Sequence, residues 1–213
     1  QLAALCELHV IVVLHYPQER DAHEPLRRIC RSVELVLKSN AAPARPATLL
    51  PHAVCEFASD ELEWLIHRQI LTKEIDVVQL EYTPLGQYAG DFRRLMCALF
   101  EHDVYFQSVA RSWRRLPGLA ARVKALFEYL RALHYETRML GRLDCVQTCT
   151  EANRDYLVSY APSLRGKVRA GLRAGIDTAA YPFRTGGREP YTMLFVGSFR
   201  HLPNQTGLAW FTR

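Results

Sequence analysis

Polar and titratable residues stand directly after apolar runs in this sequence. LHVIVVL (8–14) is followed by His15 and Tyr16, DVVQL (76–80) by Glu81 and Tyr82, and LMCALF (95–100) by Glu101, His102 and Asp103. Further along, CVQT (145–148) precedes Thr150, and MLFV (193–196) precedes Gly197 and Ser198. If the apolar runs are parallel strands, these groups gather at one edge of a sheet, where loops and helix N-termini form a crevice suited to a polar ligand. Each signal has a plain structural alternative. His102 fits a loop histidine, Glu81 fits a cap for a helix starting near Pro84, and Gly197-Ser198 fits an ordinary strand-to-helix turn as well as a phosphate cradle.

The elements that would carry these residues alternate. Short continuous apolar runs at 8–14, 33–37, 76–80, 95–100, 145–148, 167–172 and 192–196 read as strands covered on both faces. Helices read between them. One spans 60–71 behind Ser59 as N-cap, and one runs from Thr150 to about Tyr160 and is stopped by Pro162. A long one starts after Pro117-Gly118, with Leu119, Val123, Leu126, Leu130, Leu133 and Leu140 on one stripe expected to face the core. The alternation predicts an α/β class, a doubly wound parallel sheet of Rossmann-like type. NAAPARPA (40–47) is an Ala/Pro loop, and RSWRRL (111–116) reads as the solvated start of a helix.

Composition sets bounds. The chain has 213 residues, of which 49% are hydrophobic and 23% charged, as in ordinary globular domains. No apolar run approaches the roughly 20 residues of a membrane-spanning helix. The net charge of +5 fits nucleic acid, an anionic membrane surface or a phosphorylated small molecule, without choosing among them. The stacking-aromatic and basic constellation of a nucleic-acid binder is absent, so no nucleic-acid partner is expected. The six cysteines are scattered without zinc spacing, which predicts no metal site and buried free thiols in a reducing cytoplasm. The opening QLAALCE reads as the tail of a helix, and the last residues read as a newly begun strand–turn–helix. Together they suggest a segment of a longer polypeptide.

Several stretches, in order along nearly the whole chain, resemble two-domain sugar-nucleotide glycosyltransferases of the retaining, family 4 type with the GT-B fold. DVVQLEYTPLGQY is similar to their mid-domain strand ending in Glu-Tyr, and LMCALFEHDVYFQSVAR to the next strand with its His-Asp and arginine. LDCVQTCTEANRDYL is similar to a later strand and capped helix, LRAGIDTAAYPF to the interdomain connector, and MLFVGSFRHLPNQTGLAWF to the first unit of the donor-binding domain. The resemblance implies an acceptor-side Rossmann-like domain at 1–174 lacking its first strand, a linker at 175–189, and the start of a donor domain at 190–213.

The same resemblance implies roles. His102, with Asp103 beside it, would be the catalytic group orienting an acceptor hydroxyl, with Glu81, Tyr82 and His15 on the acceptor side. Gly197, Ser198 and Arg200 would meet the donor diphosphate, and Gly175 and Asp177 would form the hinge. The substrates implied are a nucleotide-sugar donor and a glycan or lipid-linked acceptor in cell-surface polysaccharide or glycolipid synthesis, with no metal or other cofactor. The enzyme is expected to be cytoplasmic, with peripheral association at an anionic inner membrane face. The chain departs from the family pattern at Arg173 and Ala174, where Pro and Asn are common, and it lacks the donor-domain glutamate pair. This segment alone is therefore expected to be inactive. A Rossmann-type oxidoreductase is disfavoured because no Gly-x-Gly-x-x-Gly turn is present. A non-enzymatic α/β binding or scaffold module is the remaining alternative.

Overall fold

The computed structural model describes residues 2–38, 49–90, 95–113, 116–171, 178–183, 186–187 and 189–212. The chain forms two compact units, Gln1–Arg173 and Ala174–Arg213. The expected hinge residues Gly175 and Asp177, and the departures at Arg173 and Ala174, lie outside the described residues.

The first unit is α/β and Rossmann-like, built on parallel strands. In chain order it contains β1 (His9–Leu14), a 3-10 stretch (Pro17–Arg28), β2 (Ser32–Leu37), α1 (His52–Glu56), α2 (Asp60–Lys73) and β3 (Val77–Glu81). A 3-10 stretch (Thr83–Tyr88), β4 (Met96–Glu101), α3 (Tyr105–Trp113), α4 (Leu119–Leu140), β5 (Cys145–Thr148), α5 (Glu151–Tyr160) and β6 (Val168–Ala170) follow. The strands fall in two sheets, β1-β2 and β3-β4-β5-β6, and every pairing is parallel. Parallel neighbours cannot be joined by a hairpin, which is why a helical segment intervenes at each crossover that is described.

Local chemistry accounts for the helix boundaries. Ser59 Oγ accepts the Leu62 N–H at 3.2 Å and starts α2, whose first turn carries Asp60, Glu61 and Glu63 against the positive end of the helix dipole. Thr150 Oγ1 accepts the Asn153 N–H at 3.1 Å and starts α5. Both caps match the sequence reading.

The main core joins the four-stranded sheet to α3, α4 and α5 through Leu99, Phe106, Leu140, Leu143, Val146 and Leu157, all essentially inaccessible. A smaller core sets Val36 against Leu62 and Leu65, with Ile11, Val13 and Leu85 beside them. Tyr88 touches both cores. Its hydroxyl donates to the Phe57 carbonyl at 2.5 Å and accepts the Ser59 N–H at 2.8 Å, tying the α1–α2 turn to the segment that follows β3.

Four sequence expectations are corrected. The stripe read on α4 faces the core only toward its C-terminal end: Leu133 packs against the core and Leu140 is buried, but Leu119, Val123 and Leu130 are exposed, and the buried face is Ala132, Tyr135, Glu136, Met139 and Leu140. The helix is apolar on both sides, and periodicity alone cannot choose between them. Residues 192–196 form no strand, because an isolated extended segment gains no ladder hydrogen bonds and the second unit offers no partner strand among the described residues. That unit does form α6 (Leu202–Phe211). Arg111 lies in the last turn of α3, at a helix end and not a helix start, where its charge suits the dipole. Finally, the expected burial of the thiols holds only for Cys97: Cys6 is exposed and the other four are half-buried.

Candidate functional site

The site lies at the carboxyl ends of β3 and β4. Their register pairs Val77 with Met96 and Glu81 with Phe100, so Gln79, Glu81, Phe100 and His102 share one face of the sheet. Leu80, Leu99 and Glu101 point to the other, buried face. On the outer face His102 Nε2 meets Glu81 Oε2 at 2.9 Å, and Gln79 Nε2 donates to Glu81 Oε1 at 2.5 Å. The Phe100 ring lies 4.2 Å from the His102 ring, its plane tilted by 42°.

Strand alternation would send Tyr82 inward with Leu80. Its backbone instead adopts φ 76°, ψ 136°, while its N–H still reaches the Phe100 carbonyl at 3.1 Å. The ring therefore stacks on His102, centroids 4.2 Å apart and planes 12° from parallel, and stays 59% exposed. A tyrosine at positive φ costs on the order of 1–3 kcal/mol and persists only where the surroundings hold it. Those surroundings are visible. Tyr135 donates from its hydroxyl to the Thr83 carbonyl at 3.2 Å, and Gly86 packs so tightly on α4 that a Cβ there would run into Met139 Sδ.

A carboxylate can only accept, so the proton between Glu81 and His102 sits on Nε2. Nδ1 is then the acceptor of the neutral ring. The histidine is held on three sides, by Glu81, Phe100 and Tyr82, and remains about a third exposed. Such an oriented imidazole can accept a proton from a hydroxyl placed against Nδ1, and the outer face of Tyr82 is a flat apolar surface for a ring-shaped partner. Glu81 does not cap the segment at Pro84, since its oxygens are engaged by His102 and Gln79.

The chain matches no protein-family model, and no curated protein matches it.

The remaining sequence candidates are placed as follows. Asp103 is exposed beside His102. His15 directly follows β1 of the other sheet; its ring meets Phe57 edge-on at 6.0 Å and its N–H donates to Glu19, and no contact joins it to Glu81, Tyr82 or His102 among those described. In the second unit, Ser198 Oγ accepts the Arg200 N–H at 3.3 Å, and the Ser198 carbonyl accepts from Asn204 Nδ2 at 3.1 Å. A Cβ on Gly197 would press on that Asn204 amide at 2.8 Å, so the turn is packed against the start of α6. No cluster of three or more His, Cys, Asp or Glu able to hold a metal occurs among the described residues.

Behind the site lies a pair that sequence reasoning missed. Glu136 of α4 is fully buried, and its two oxygens accept the Tyr105 and Phe106 N–H groups at 3.0 and 2.8 Å, closing the N-terminus of α3. Glu101 is 1% exposed, and neither of its oxygens meets a donor. What it faces is the Glu136 carboxyl, another acceptor. Burial, and then the Glu136 charge, push Glu101 well above the usual carboxylate range. Burial raises Glu136 as well, against the lowering effect of its hydrogen bonds from Glu101 and the two amides. One proton shared by the pair resolves the geometry: Glu101 keeps it and donates to Glu136, the acid that already has amide donors. The signal for Glu136 was its position three and four residues from Met139, Leu140 and Ala132, all core.

Proposed function

We propose that this chain forms the acceptor side of a sugar-nucleotide-dependent glycosyltransferase. The observation that carries the reading is the Glu81–His102 pair under the Tyr82 ring, at the carboxyl ends of two parallel strands. Transfer of a sugar to a hydroxyl requires that hydroxyl to be oriented and to lose its proton as the new glycosidic bond forms. His102 Nδ1 is suited to take that proton, with Glu81 stabilising the charged ring. The exposed face of Tyr82 is suited to stack on a sugar ring of the acceptor. Its backbone strain supports a site role, because strain of this kind gathers where geometry serves binding or chemistry.

The donor side is assigned to the second unit's Gly197–Ser198 turn and Arg200, which would meet the leaving diphosphate by backbone N–H groups and positive charge. No protein nucleophile and no metal enter this scheme. The acceptor is a glycan or a lipid-linked sugar.

The test is release of nucleoside diphosphate from a panel of nucleotide sugars supplied with glycan and lipid-linked acceptors. It is run on this chain and on the full reading frame that encodes it. Release by the full frame, none by the 213 residues alone, and a loss of at least 100-fold in His102→Ala are the expected results. No release by either form across the panel overturns the reading in favour of a binding module.

A further inference from the structure

The apolar stripe of α4 that does not enter the core is a surface in its own right. Leu119, Val123, Phe127 and Leu130 are 79, 43, 60 and 49% exposed. Spaced by four, four and three residues, they form one row opposite the face that buries Ala132, Glu136 and Met139. Beside this row runs a second one, Lys124, Arg131 and Arg138, spaced by sevens along the 22-residue helix, and Arg122 borders the other side.

The acids of α4 are turned the opposite way. Glu136 is buried against the amides of α3, and Glu128 accepts the His52 N–H at 2.7 Å, with Arg131 3.7 Å from its other oxygen. Charge on the outward face is therefore cationic, and the stripe it flanks is apolar. This is the pattern of a helix that lies in a membrane interface: apolar side chains enter the acyl boundary while Lys and Arg stems reach up to anionic headgroups.

We infer that α4 is a docking surface for an anionic lipid membrane, with Leu119, Val123, Phe127 and Leu130 inserted and Lys124, Arg131 and Arg138 on the headgroups. Charge selects this occupant over a second copy of the chain. Pairing α4 with itself would bring like-charged rows together, and the chain as a whole carries +5. The inference rests on the helix face alone and does not depend on the activity proposed above.

The test is co-flotation of the 213-residue chain with vesicles of phosphatidylcholine alone and of phosphatidylcholine mixed with phosphatidylglycerol, at low and at high salt. Binding is expected with the anionic vesicles at low salt, falling steeply with salt and with the neutral lipid. Lys124→Gln/Arg131→Gln/Arg138→Gln should weaken it about 100-fold, and Val123→Glu/Phe127→Glu should abolish it. Lys124, Arg138, Val123 and Phe127 are exposed, and half-buried Arg131 loses only its 3.7 Å pair with Glu128, so far-UV circular dichroism and the melting midpoint should stay close to the parent values. Absence of binding to anionic vesicles, or binding that either variant leaves unchanged, overturns the proposal. So does a dimer in light scattering that Phe127→Glu splits, since the stripe would then belong to a second copy.

Discussion

The two faces of the β3–β4 strand ends use the same residue type to opposite ends. On the outer face Glu81 is half-exposed and meets a donor, His102, at 2.9 Å. On the inner face Glu101, adjacent in sequence to His102, is buried beside a second acid and meets none. Solvent access and a matched donor let the outer carboxylate orient a base through its hydrogen bond. Low dielectric and a mismatched neighbour force the inner one to keep its proton. The difference teaches that a carboxylate's role is written in the strand's pleat, not in its residue type.

The largest expected effect breaks the outer face. His102→Ala should lower transfer activity by about 10²–10⁴-fold with little change in stability, measured as nucleoside diphosphate release alongside a urea melt. On the inner face, Glu136→Ala removes both acceptors from the Tyr105 and Phe106 amides and leaves Glu101 without its partner. A loss of about 3 kcal/mol is expected, read as a lower urea midpoint.

Glu101→Gln sharpens the contrast by replacing the shared proton with a fixed amide donor to Glu136. The folded-state pKa of Glu101 is raised, so the stability linked to its proton is complete below about pH 4.5 and is lost as pH rises through the folded value. The amide has no proton to lose. The variant should therefore melt higher than the parent at neutral pH, by about 2–4 °C for each kcal/mol gained, and the gap should close toward pH 4. A gap of the same size at every pH would remove the shared proton from the account. The smallest effect is at Tyr82. Glycine takes positive φ freely, so Tyr82→Gly should gain up to about 1 kcal/mol while activity falls with the lost stack. Equal loss of stability and activity would mean the ring is structural.

Much of the scaffold was legible in the sequence. The runs 8–14 and 145–148 are strands, and Ser59 and Thr150 cap helices, because burial on both faces and side-chain capping are local effects. Glu81, Tyr82 and His102 were legible as strand-end residues, and the structure brings these three together. The stack that joins them was not legible, since it needs Tyr82 at positive φ, held from below by Tyr135 and by the close approach at Gly86. His15 was grouped with them on the expectation of one sheet edge, but it follows a strand of the other sheet. The face of α4 was misread for a similar reason: its core side includes Tyr135 and Glu136, which an apolar count leaves out.

The Glu136 hydrogen bonds also carry a consequence for how the first unit assembles. The acceptors that close the first turn of α3 come from about 30 residues downstream, near the far end of another helix. Until α4 has docked, the Tyr105 and Phe106 amides have no such partner, and the start of α3 frays. Their rate of deuterium exchange is thus a local clock for that docking event, and it should track the opening of the α3–α4 pair rather than of either helix alone.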